Sequence, residues 1–129
     1  MNRPDPQPML KIHVIPVTPF AQNCSIIMCT QTNAAAVVDP GGDVDAIMQA
    51  VRQMNANVEQ ILLTHGHLDH AAGAPALAAA LQSATGHVVP IIGPHSADQY
   101  WLDDLPARAR AYGFGEAKAF TPTRYSQEG

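Results

Sequence analysis

The stretch Thr64-His65-Gly66-His67-Leu68-Asp69-His70 constrains this chain more than any other. It places three histidines and one aspartate within six residues. Upstream, Val58-Glu59-Gln60-Ile61-Leu62-Leu63 reads as a buried strand. Downstream, Ala71 to Leu81 is rich in alanine and leucine, the best helix formers. The polar cluster therefore falls at a strand-to-helix turn, at the C-terminal end of a strand. Open α/β sheets bind their ligands there.

The spacing suggests the chemistry. Neutral imidazole is the commonest protein ligand for zinc and similar metals. His65 and His67 are two apart, so an extended backbone points both rings to the same side. Gly66 between them carries no side chain and lets the turn tighten. Asp69 and His70 follow as the chain bends into the helix and approach from another direction. Four such groups suit two metals sharing a bridging water, each metal taking two ligands from this turn. A single histidine at a strand end is ordinarily a solvated or capping residue, and Asp69 alone would serve as a helix N-cap. Those explanations cover one residue at a time and leave the quartet unexplained.

The segment resembles the metallo-β-lactamase superfamily, whose signature is His-x-His-x-Asp-His. Within it the chain is most similar to the small type II glyoxalase-like (hydroxyacylglutathione hydrolase-like) hydrolases. Asn23-Cys24, Val38-Asp39-Pro40-Gly41-Gly42 and Ile92-Gly93-Pro94-His95 stand in the order that subgroup shows. The resemblance implies an α/β (α+β) fold, the four-layer αββα sandwich, of which this chain covers about the first half. It implies a two-metal site holding Zn2+, with Mn2+ or Fe2+ as alternatives. His65 and His67 would bind the first metal, Asp69 and His70 the second. Asp69 would also act catalytically by orienting the attacking water. Asp39 would lie near the metals and support the ligand loop through hydrogen bonds. Thr64 stands beside the ligands, and His95 lies on the same rim of the sheet without matching a ligand position of the family.

The activity implied is hydrolysis of hydroxyacylglutathione-type thioesters through a metal-bridged hydroxide, with the metals stabilising the oxyanion. Lactones, β-lactams and phosphoesters are also substrates on this fold, so the fold alone does not choose. The family's later motifs would supply a further histidine for each metal and a bridging aspartate. Here no histidine follows His95 and no aspartate follows Asp104. The expectation is a truncated hydrolase. The alternative is a non-catalytic half-domain that binds metal weakly or pairs with another chain. Either way, a half-sandwich exposes an apolar sheet face open to self-association.

The rest of the chain sets outer bounds. Its 129 residues suit one domain, with residues 1–8, Pro-rich and polar, as a loose lead-in. Net charge is −4 and the seven Lys and Arg are scattered, which argues against a nucleic-acid partner. No apolar stretch is long enough to span a bilayer, and the N-terminus lacks the apolar core of a secretory signal. Two cysteines, Cys24 and Cys29, fall five apart in one strand and so on opposite faces, unable to bridge. With no signal, that count fits a cytoplasmic protein.

Strands are expected over Met9 to Val17, ended by Pro16 and Pro19, then over Asn23 to Thr30 and Ala34 to Asp39, the last two as a hairpin. His13 is a lone strand histidine. Asp39-Pro40-Gly41-Gly42-Asp43 is a Gly-rich turn without the lysine or spacing of a P-loop, and Asp43 is the expected N-cap of the next helix. Val44, Ile47, Met48, Val51 and Met54 mark that helix, over Asp43 to Asn55, by their i, i+3, i+4, i+7 spacing. A second helix is expected from Pro75 to Ala84, stopped at Thr85-Gly86. Val88 to Ile92 reads as a strand weakened by Pro90. Ala97 to Leu105 and Ala107 to Tyr112 read as short helices, and the last segment heads toward one more strand.

Overall fold

The computed structural model describes residues 9–17, 22–66, 68–111 and 117–126, and of Asp69 the backbone only. Among the described residues six strands form one mixed sheet: β1 (Leu10–Val17), β2 (Gln22–Cys29), β3 (Ala34–Val38), β4 (Asn57–Leu62), β5 (Ile91–His95) and β6 (Arg124–Ser126). Their spatial order is their chain order. The β1–β2 and β2–β3 pairs are antiparallel, while β3–β4, β4–β5 and β5–β6 are parallel. The change has a local cause. Residues 30–33 make a tight hairpin turn, with Asn33 at φ 63 and its N–H on the Cys29 carbonyl at 2.8 Å. Helix α1 (Val44–Met54) instead carries the chain from β3 across to a parallel β4. Helices α2 (Leu68–Ala71) and α3 (Ala74–Thr85) do the same between β4 and β5. A 3-10 turn (Ser96–Asp98), α4 (Gln99–Asp103) and α5 (Leu105–Ala111) follow.

The core lies between one sheet face and the helices. Cys24, Ile26 and Met28 of β2, Ala35 and Val37 of β3, and Val58 and Ile61 of β4 point to that side and are buried. Ile47, Met48 and Val51 of α1 and Leu77 and Leu81 of α3 close over them. The periodic apolar residues of α1 thus form the inner side of the helix, as their spacing predicts. Gly86, at φ 78, ends α3 by a backbone N–H on the Gln82 carbonyl.

The opposite sheet face is also apolar. Register sets Leu10 beside Cys29, and Ile12 beside Ile27 and Ala36. It also lines up Val14, Ser25, Val38, Leu62 and Ile92 across five strands. At the β1 edge this face is open: Leu10, Ile12 and Val14 are 57%, 60% and 50% exposed.

One local expectation is corrected, and two hold in position but not in detail. The strand expected over Val88 to Ile92 is displaced to Ile91–His95. Pro90 has no N–H to give, and pairing begins with its carbonyl accepting from Ile61 N–H at 2.9 Å. Pro16 does not end β1, which runs to Val17; β1 is an edge strand, where a missing ladder donor is tolerated. Asp43 occupies the N-cap position of α1 in a left-handed conformation, φ 51, and its side chain makes no capping hydrogen bond. Pro19 and Tyr112 lie outside the described residues.

Candidate functional site

Strands β3 and β4 run parallel, with Val38 beside Leu62, so both end on the same rim of the sheet. The residues just beyond them, Asp39 and the Leu63–Thr64 segment, are therefore neighbours. Asp39 donates its N–H to the Leu62 carbonyl at 2.9 Å and sits at φ 55, which turns its side chain off the strand path. It is only 6% exposed. A buried carboxylate must find donors. Oδ1 accepts from Thr64 N–H at 2.8 Å, and Oδ2 accepts from Thr64 Oγ1 at 2.6 Å. Oδ2 also lies 3.0 Å from His70 Nδ1. An ionised carboxylate only accepts, so this bond assigns the hydrogen to Nδ1 and leaves the lone pair of the neutral ring on Nε2. The His65 ring stands against the His70 ring, centroids 3.8 Å apart and tilted by 55°. Both histidines are partly buried.

Two close contacts hold the surrounding backbone. Gly73, between α2 and α3, packs on the Asp39–Gly42 turn. A Cβ there would run into the Pro40 carbonyl oxygen and stand 2.9 Å from Gly42 N. Gly66 packs under the 3-10 turn and α4, where a Cβ would stand 2.9 Å from the Asp98 carbonyl oxygen and 3.0 Å from Trp101 Cβ. Gly66 N–H also donates to Asp98 Oδ2 at 3.2 Å. His95 ends β5 exposed to solvent, and its Nδ1 accepts from Ala97 N–H at 3.1 Å, capping the 3-10 turn. His67 and the side chain of Asp69 lie outside the described residues. Among the described residues no three His, Cys, Asp or Glu side chains are grouped to hold a metal ion.

A family model described as the metallo-beta-lactamase superfamily matches residues 17–126. The chain belongs to the metallo-β-lactamase superfamily. It is 39% identical over 121 residues to the hydroxyacylglutathione hydrolase GloC of Haemophilus influenzae, covering 93% of this chain and 54% of that protein. A hydroxyacylglutathione hydrolase of Shewanella oneidensis is 35% identical over 81 residues, 62% of this chain and 30% of that one. Among solved structures, TTHA1623 in a di-iron-bound form superposes with a TM-score of 0.70 at 27% identity, covering 90% of this chain and 55% of that one. The B3 metallo-beta-lactamase BLEG-1 gives 0.72 at 24% identity, covering 92% and 54%, which bears on the fold alone. This chain thus spans about half the length of these metallo-β-lactamase relatives.

The mixed sheet with helices on one face is accordingly one half of the metallo-β-lactamase sandwich, and that fold implies metal ions. The chemistry of the donors on this rim suits such a group. An imidazole whose Nδ1 hydrogen is taken by a buried carboxylate presents its other nitrogen as a ligand. Asp98, which comes to Gly66 from 32 residues away, matches no bridging-aspartate context of the family and carries no motif of its own. The signal for it was weak: it follows a strand whose end shares the rim. Among the described residues no helix is long and apolar enough to cross a membrane.

Proposed function

We propose that this chain carries the metal-binding half of a glyoxalase II-like hydrolase that cleaves hydroxyacylglutathione-type thioesters. The observation that carries this reading is the Asp39 network. A buried carboxylate reaches both the first residue of the histidine segment, Thr64, and its last, His70. The likeness to proteins named hydroxyacylglutathione hydrolase supports the substrate class.

In this reading His65 and His67 hold one metal, and Asp69 and His70 hold the other. Zn2+ suits the donor set, and Fe2+ or Mn2+ suits it too. A bound pair polarises a carbonyl and makes water a nucleophile near neutral pH. The chain's own part is orientation. Asp39 fixes the tautomer of His70 and ties it to Thr64, so the segment presents its nitrogens from a set backbone. Asp69 aims the attacking water. Thr64 shares the carboxylate with His70, and removing its hydroxyl leaves one lone pair of Asp39 unanswered.

The test is metal content and thioester hydrolysis of the purified chain and of His65→Ala, His67→Ala, Asp69→Ala and His70→Ala. Each variant is expected to retain less metal than the parent. A variant with all four changes that kept the parent's metal content and hydrolysis would overturn the reading.

A second reading is favoured by the exposure of Leu10, Ile12 and Val14. In it the chain alone turns nothing over and pairs through its open sheet face. Metal bound without hydrolysis, together with concentration-dependent association, is the result that selects it.

A further inference from the structure

We propose that Asp98 is a positioning residue of the metal loop, holding the backbone of Gly66 between His65 and His67. The inference rests on the metal reading above, and the observations for it are separate. Asp98 Oδ2 accepts from Gly66 N–H at 3.2 Å, while Asp39 Oδ1 accepts from Thr64 N–H at 2.8 Å. His65 therefore lies between two backbone amides, each pinned by a carboxylate from a different element. Space enforces the same arrangement. The Asp98 carbonyl oxygen and Trp101 Cβ fill the volume a side chain at residue 66 would need.

The clamp has its own foundation. His95 caps the 3-10 turn that ends in Asp98 through Ala97 N–H at 3.1 Å. The Arg108 guanidinium lies over the Trp101 ring, 4.5 Å from its centroid, and Arg108 Nε donates to Asp104 Oδ2 at 2.9 Å. Asp98 thus reaches the loop from a segment anchored on α4 and α5. Groups that orient ligands in this way typically change metal affinity by about 10-fold to 100-fold when removed. A loop already ordered before the ion arrives does not have to be ordered by it.

Asp98→Ala removes the acceptor, and Asp98→Asn keeps an acceptor oxygen without the charge. Three quantities are measured on the full chain: Zn2+ affinity by competition with a chromophoric chelator, amide exchange at Gly66, and melting of the metal-free protein. The expected result is about a 10-fold loss of Zn2+ affinity and faster Gly66 exchange in Asp98→Ala, with Asp98→Asn near the parent in both. Melting of the metal-free variants should stay close to the parent's. Unchanged affinity and unchanged Gly66 protection in Asp98→Ala would overturn the proposal. So would equal losses of affinity and melting temperature in both variants, which would make Asp98 a support of the fold only. If the parent itself binds none of Zn2+, Fe2+ and Mn2+, the metal reading fails and the positioning role with it. Gly66 exchange then still reports whether the clamp exists.

Discussion

The two faces of the sheet are made by the same strands and differ in what lies on them. On one face Cys24, Ile26, Val37 and Ile61 are fully buried under α1 and α3. On the other, Ile27, Val38, Leu62 and Ile92 are half-buried, and Leu10, Ile12 and Val14 are exposed. Composition does not separate the faces, because both are apolar. Runs such as Ile26-Ile27-Met28 and Ile61-Leu62 are what a sheet covered on both sides requires. The second face is therefore core-like in chemistry and surface-like in exposure. Contacts, more than hydrophobicity, decide which apolar residues stabilise this chain.

The sharpest way to break that contrast is to truncate one isoleucine on each face. Ile61→Ala, fully buried in β4, should lose about 3 kcal/mol of unfolding free energy through lost burial and the cavity left behind. Ile12→Ala, 60% exposed on β1, should lose under about 1 kcal/mol. Urea denaturation of the two variants reads both. Equal losses would mean that the open face is already packed in solution.

Association probes the same difference from the other side. An apolar, nearly uncharged face meets its own copy without like-charge repulsion. The five strands from β1 to β5 present a footprint of roughly 24 by 20 Å, from strand spacing and rise. Pairing two such faces buries about 1,000 Å² in total, the lower limit of a stable interface, so any dimer should be weak and concentration-dependent. Placing lysines on this face, as in Ile12→Lys combined with Val14→Lys, should shift sedimentation toward the monomer by about 10-fold in concentration. A parent chain that stays monomeric across the same range would show the face to be inert toward a second copy.

Legibility in the sequence followed the distance over which each feature is encoded. Helix α1 was readable because Val44, Ile47, Met48, Val51 and Met54 carry its period themselves. The β2–β3 hairpin was readable from its polar turn, and the end of α3 from Gly86. The histidine segment is local, so its place beyond the end of β4, at a turn into helix, is legible from its flanks; its last three residues already belong to α2. What stayed hidden depends on tertiary approach. No periodicity or motif announces that Asp98 reaches Gly66, or that Gly73 must be bare because the Pro40 carbonyl lies against it. Strand β5 lies later than the apolar run Val88-Val89 suggests, because strand pairing starts only at Pro90 and Ile91. Asp43 has the residue type of an N-cap and takes that place, but residue type does not report that its backbone is left-handed.

The smallest effect expected on stability near neutral pH is also the cleanest marker of the two faces, because β2 carries one cysteine on each. Cys24 is fully buried, and burial, followed by the nearby negative charge of Asp39, pushes its thiol from 9.0 up to about 12. Cys29 lies opposite Leu10 on the open face, and hydrogen bonds from the Thr32 side chain and from the backbone of Gln31 and Thr32 lower its thiol below the usual value. Thiolate is the reactive form. Iodoacetamide at pH 8 should therefore modify Cys29 in the native chain and reach Cys24 only on unfolding. The linkage has a definite sign. Between pH 9 and about 12 the folded state keeps the Cys24 proton that the unfolded state has released, so this residue's contribution to stability falls as pH rises through that window and is constant below it. Cys24→Ala should flatten that alkaline decline while leaving the slope below pH 9 unchanged. If copies pair through the open face, Cys29 modification should slow as protein concentration rises while Cys24 stays protected throughout; a Cys29 rate independent of concentration would leave that face free of a second copy.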